Sequence, residues 1–170
     1  MRLAAHDVMA LPIDALERDA LGTVLESLSE LFAAAGGPLS ALFVASNDAG
    51  SRTALRFWAD AQRTGVALAN PELFPWCLAN APCGALARRF GITGPNATWL
   101  GQSDALEAAW AAAETHLARG AVRRAFVVAL DFDPIPPHSA SLRAWRLEPG
   151  GDRLAAPLDP QRDSIVAFGP

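Results

Sequence analysis

The side chains that could carry out chemistry are few and widely spaced along this sequence. Its three histidines, His6, His116 and His138, form no HExxH or HxxxH pair, the spacings that place two imidazoles on one metal ion. Its two cysteines, Cys77 and Cys83, are too few for a disulfide framework or a four-ligand zinc site. We interpret the cysteines as small core residues and the histidines as structural, and we expect no metal and no cofactor.

Other kinds of chemistry are excluded by residue types that the sequence lacks. It has no lysine and no tyrosine, so a Schiff-base lysine, a P-loop lysine and a catalytic tyrosine are all impossible. It contains no GxGxxG, Walker or GxSxG motif. The 18 acidic and 14 basic residues give a formal net charge of −4, which argues against a nucleic-acid-binding module.

The length of 170 residues suits one domain, residues 1–170. No run of about 18 uninterrupted apolar residues is present, so we expect no membrane span. The first residues lack the long apolar region of a signal peptide. A cytoplasmic protein is therefore expected.

Hydrophobic spacing predicts helices that alternate with strands. The predicted helices cover residues 14–36, 51–64, 82–90 and 104–119, and the predicted strands cover 39–46, 98–101, 125–131 and 141–147. Ser103 or Asp104 is predicted to cap the last helix. Alternation of strands and helices implies βαβ crossovers and a sheet covered on both faces, so the predicted class is α/β.

The order of motifs between residues 70 and 131 resembles the N-terminal half of the β-ketoacyl synthases, condensing enzymes that have the thiolase fold. That order is N-P-x-x-F-P, then N-A-P-x-G-A-L-A-R-R-F-G-I-T-G-P-N, then an Ala-rich helix ending in A-R-G, then A-F-V-V-A-L-D. The residues that occupy matching positions are Asn80, Gly84, Ala87, Gly91, Gly94, Pro95 and Gly120. The resemblance implies a single thiolase-like half, with a mixed, mostly parallel sheet and helices on both faces.

Two later segments resemble two branches of that family. The stretch P-L-D-P-Q-R-D-S-I-V-A-F-G resembles the family's P-F-D-x-x-R-D-G-F-V-x-G, with Ser164 in place of the usual glycine. The step from Asp131 to Pro136 resembles instead the stand-alone β-ketoacyl synthase N-terminal-like domains, which are often associated with aryl-polyene pigment pathways. These two alignments of the tail are both left open.

The family's catalytic cysteine has no counterpart in this sequence. Alignment from Gly94 without a gap places Ser103 at the nucleophile position, and alignment at Leu106 places Gln102 there. A serine hydroxyl without an adjacent base is a weak nucleophile. The family's two catalytic histidines belong to a C-terminal half that begins beyond the end of this sequence, so we expect no condensation from this chain alone.

The resemblance implies a non-condensing partner or scaffold in a polyketide or fatty-acid-like pathway, including aryl-polyene pigment synthesis. Its partners would be a full-length ketosynthase or an acyl carrier protein, and strand 98–101 would pair across the axis of a homodimer or heterodimer. The pairs Arg88-Arg89 and Arg123-Arg124 are interpreted as solvated helix ends, or alternatively as contacts for an acidic carrier protein. Two other hypotheses are a small acyl hydrolase or acyltransferase that uses Ser103, and an interaction domain without a metabolic role.

Overall fold

The computed structural model describes residues 2–10, 21, 26, 28–33, 35–132 and 139–149. The strands are β1 (Arg2–Ala10), β2 (Ser40–Ser46), β3 (Asn96–Leu100), β4 (Arg124–Phe132) and β5 (Ser139–Leu147). The helices are α1 (Ser51–Thr64), α2 (Ala81–Phe90) and α3 (Ser103–Ala118), with 3₁₀ turns at Val66–Leu68 and Phe74–Cys77. No helix in these ranges is long and apolar enough to cross a membrane.

The five strands form one mixed sheet in the order β1-β5-β4-β2-β3. Strand β2 pairs in parallel with β3 on one side and with β4 on the other. Strand β5 runs antiparallel to both β4 and β1, so β1 points in the same direction as the other three. Four of the five strands therefore share one direction, and the prediction of a mixed, mostly parallel sheet is confirmed.

Strand β2 divides the core into two layers. All seven of its residues are buried, as is usual for a strand with helices on both faces. Leu42 and Val44 pack on the side of α2, whereas Ala41, Phe43 and Ala45 pack on the side of α3. This alternation confirms the prediction of a sheet with helices on both faces.

The edge strand β3 is held against β2 at a position that requires glycine. A Cβ atom at Gly94 would lie 2.3 Å from the Ser40 carbonyl oxygen and 2.6 Å from that of Pro38. The next residue, Pro95, accepts a hydrogen bond from the Leu42 amide at 2.9 Å. Gly94 and Pro95 therefore set the close approach that starts β3.

The local signals in the sequence located most of these elements. The helix 51–64 is predicted with its observed bounds, and Gly65 follows it with a φ of 90°. The helix predicted at 82–90 begins one residue earlier and ends at Gly91, whose φ of 66° is the left-handed C-cap conformation. The ends of the four predicted strands lie within two residues of the observed ends.

Several expectations differ from the structure. The sequence assigned no element to residues 2–10, which form β1, because this strand is defined by its pairing with the distant β5 and not by a local alternation. The predicted capping of α3 by Ser103 or Asp104 is wrong: the N-cap residue is Gln102, and no side chain caps the helix. The predicted helix 14–36 is helical at Leu21 and Glu26 but forms turns at residues 28–33, so it ends earlier than predicted. Residues 14–20, with the capping box, lie outside the described residues, as do residues 133–138 and the tail from 150.

Candidate functional site

The candidate site is the elbow, defined as residues 101–104, where β3 ends and α3 begins. Gly101 turns the chain with a φ of 149°, and its amide donates a hydrogen bond to the Ser46 carbonyl oxygen at 3.0 Å. Gln102 follows and is exposed, and Ser103 is the first residue of α3. Both candidate nucleophile positions of the sequence analysis therefore lie at the helix N-terminus, beside the end of β2.

The first turn of α3 already carries a negative charge of its own. Oδ1 of Asp104 accepts a hydrogen bond from the Ala105 amide at 3.0 Å. The same carboxylate lies over Gly101, because a Cβ atom there would be 2.9 Å from Oδ1. A helix N-terminus stabilises anions through its exposed N–H groups and its partial positive charge. The Asp104 carboxylate already accepts a hydrogen bond from one of these N–H groups. Its negative charge therefore disfavours the binding of a second anion at the elbow.

A second polar link fixes the neighbouring strand ends. The Ser46 hydroxyl donates a hydrogen bond to Oδ1 of Asp131 at 3.0 Å, and the Asn47 amide donates to the same oxygen at 2.5 Å. The Ser46 hydroxyl oxygen in turn accepts from the Ala49 amide at 2.9 Å. This network ties the end of β4 to the loop that leads from β2 into α1.

The Ser46–Asp131 link was not found in the sequence, although a signal for it existed. In the sequence, Asp131 marks the step to Pro136 and Ser46 marks the end of a strand. Both residues end buried parallel strands that pair with each other, and the carboxyl ends of such strands meet at one edge of the sheet. Ser46 is 1% exposed, so the link is a buried structural support beside the elbow.

None of the described histidines reaches the elbow. His6 lies on β1, in register with Arg143, at the opposite edge of the sheet. His116 is thirteen residues beyond Ser103 on the same helix, which separates the two by about 20 Å along the helix axis. His116 stacks on Phe43 with ring centroids 5.5 Å apart. His138 lies outside the described residues. The described ranges thus provide no imidazole that could serve as a base for Ser103.

The two cysteines occupy different environments. Cys83 is buried between α2 and the sheet, as predicted, and burial raises the pKa of its thiol to about 11. Cys77 is only half-buried, so the prediction of a core position is wrong for it; its thiol donates to the Leu73 carbonyl oxygen at 3.4 Å. Both lie before the start of β3, and neither replaces the missing thiol at the elbow. Within the described ranges, no group of three His, Cys, Asp or Glu side chains could hold a metal ion.

Comparisons with known proteins show which fold this is. No protein-family model matches the chain, and no curated protein matches it significantly. Among solved structures, a chain of the ishigamide ketosynthase/chain length factor matches with a TM-score of 0.56 and 16% identity, covering 70% of this chain and 38% of that chain. A chain from a ketosynthase in complex with its chain length factor, from Xenorhabdus doucetiae, matches with a TM-score of 0.59 and 10% identity, covering 79% and 62%.

These matches confirm the resemblance at the level of the fold. The chain has a single thiolase-like half, with the sheet and helices that it shares with ketosynthase and chain length factor structures. It spans less than two thirds of the length of either matching chain. The elbow at the end of β3 therefore lies in a thiolase-like fold. Its residues after Gly101 are Gln102, Ser103 and Asp104, and it contains no cysteine.

Proposed function

We propose that this chain, as one domain of residues 1–170, is a non-condensing ketosynthase-like subunit. It would act in the cytoplasm as the partner of a full-length ketosynthase in a polyketide or fatty-acid-like pathway, with aryl-polyene pigment synthesis as one such pathway. The observation that carries this proposal is the elbow, which has no thiol and has the Asp104 carboxylate on its helix N-terminus.

The chemistry of condensation explains why that elbow supports a non-condensing role. Transfer of an acyl group needs a nucleophile, a base that activates it and donors for the oxyanion that forms on the acyl carbon. The described ranges provide no imidazole to take the proton of Ser103, and a serine hydroxyl without an adjacent base is a weak nucleophile. The Asp104 charge disfavours the oxyanion at the same helix end. Loss of the base alone would reduce the rate of condensation by orders of magnitude.

The edge of the sheet supports pairing with a second chain of the same fold. Strand β3 pairs only with β2 in the described sheet, so one side of its backbone is available to a partner strand. Leu100 at the end of β3 is 56% exposed. An open, regular edge with an exposed apolar side chain favours association through strand pairing.

A second feature that supports a partner is the apolar surface, defined by exposed residues of α1 and of the two 3₁₀ turns that follow it. Its members are Leu55, Trp58, Val66, Leu68, Phe74 and Leu78. Val66 and Leu68 are 74% and 76% exposed. Exposed apolar side chains in such number are typical of a surface that a partner covers.

Backbone contacts link the turn that carries Leu78 to the strand end that holds the elbow. A Cβ atom at Gly50, where α1 begins, would lie 2.7 Å from the Cys77 carbonyl oxygen, so the turn that ends in Leu78 packs directly on the start of α1. Ser46, a few residues earlier, holds the Gly101 amide. A partner that paired with β3 could therefore cover Leu100 and the apolar surface together. Two of the matching solved structures are named as ketosynthases with a chain length factor, and this supports a ketosynthase as the partner.

Sedimentation velocity with a full-length ketosynthase from the same organism tests this proposal. We expect a stable complex with the native chain, and an affinity at least tenfold lower for Leu100→Arg, because the new charge would have to be buried against the partner. Leu39→Arg is the matched control, since Leu39 is 45% exposed but lies at the amino end of β2. Circular dichroism confirms that both variants fold.

A native chain that sediments as a monomer with no ketosynthase bound would overturn the proposal and favour an interaction domain outside this metabolism. Equal weakening by both variants would also count against it, since it would show that the β3 edge is not the contact. Binding of an acyl carrier protein, a second partner that we propose, is measured in the same experiment.

A second candidate function is supported by the position of Ser103 at the N-terminus of α3. An acyl hydrolase or acyltransferase would use this hydroxyl as its nucleophile, with helix N–H groups as oxyanion donors. A fluorophosphonate probe distinguishes the two functions: an adduct on Ser103 by peptide mass spectrometry would establish the enzyme, and its absence would remove this candidate.

A further inference from the structure

We draw no further inference here: the strongest candidate, the exposed apolar surface of α1 and the two 3₁₀ turns, already belongs to the proposed pairing with a ketosynthase, and nothing in the described part of the structure shows what else covers it.

Discussion

The buried thiol of Cys83 should make the stability of this protein fall as the pH rises above 9. The thiol lies under α2 and faces the Ala97 carbonyl oxygen, 3.6 Å from Sγ. Desolvation raises its pKa from 9.0 to about 11 in the folded chain. Between these two values the unfolded chain loses the thiol proton while the folded chain keeps it. The folded state therefore binds more protons there, and its stability decreases with increasing pH.

The size of the effect follows from the shift. Each pKa unit corresponds to about 1.4 kcal/mol, so raising the pH from about 8 to about 10.5 should lower the free energy of unfolding by about 2 kcal/mol. Few other groups interfere in this range. The sequence has no lysine and no tyrosine, and arginine stays protonated throughout.

Urea unfolding at a series of pH values measures this dependence. The native chain and Cys77→Ala should both lose about 2 kcal/mol over that interval, whereas Cys83→Ala should lose little. The comparison is between the slopes of the free energy of unfolding against pH. The constant loss of stability caused by removing the Cys83 side chain therefore does not affect it. A flat profile for the native chain, or an equally steep profile for Cys83→Ala, would refute the burial of this thiol against the sheet.

Two further predictions concern the supports of the elbow. Gly94→Ala should destabilise the fold by about 1–3 kcal/mol, since its Cβ would lie 2.3 Å from a backbone oxygen of Ser40. Gly84→Ala should stabilise it by about 1 kcal/mol, because a Cβ at this exposed position of α2 would meet nothing within 4 Å. Thermal unfolding of the two variants checks both signs, and equal shifts would contradict the close approach at Gly94. Asp131→Ala should cost about 1–3 kcal/mol because it leaves the buried Ser46 hydroxyl without its acceptor. Hydrogen exchange at the Asn47 amide should accelerate in that variant, and unchanged exchange would show that the carboxylate does not hold this loop.

Local sequence signals predicted the parts of the fold that depend on local physics. The apolar run of β2 is buried on both faces, and α1 ends where Gly65 adopts a positive φ. Strand β1 was missed because it exists through pairing with β5, which follows it by more than a hundred residues. A pattern of alternation within nine residues cannot report such a distant partner.

The candidate site was predicted in position but not in its details. The resemblance led to Gln102 and Ser103, and the structure places both at the start of α3. Their role stays a prediction. The orientation of the Asp104 carboxylate over Gly101 could not be read from the sequence, because it depends on the φ of 149° at Gly101. The apolar surface was not predicted either, because the burial pattern of α1 is not evident from its composition.

Helix α1 buries Arg52 and Thr53 and exposes Leu55 and Trp58, which is the reverse of what composition predicts for a helix on the surface of a monomer. A pattern of this kind becomes informative only when the burial of each residue is known. The exposed apolar side chains of α1 are a further feature that favours a partner.

Native mass spectrometry of this chain mixed with a full-length ketosynthase and an acyl thioester tests the central proposal most directly, since it reports assembly and acylation together. We predict a complex of the two chains in which the ketosynthase carries the acyl group and this chain has its unmodified mass. A chain that stays free of the ketosynthase, or that gains the acyl mass at Ser103, would contradict the role of a non-condensing partner.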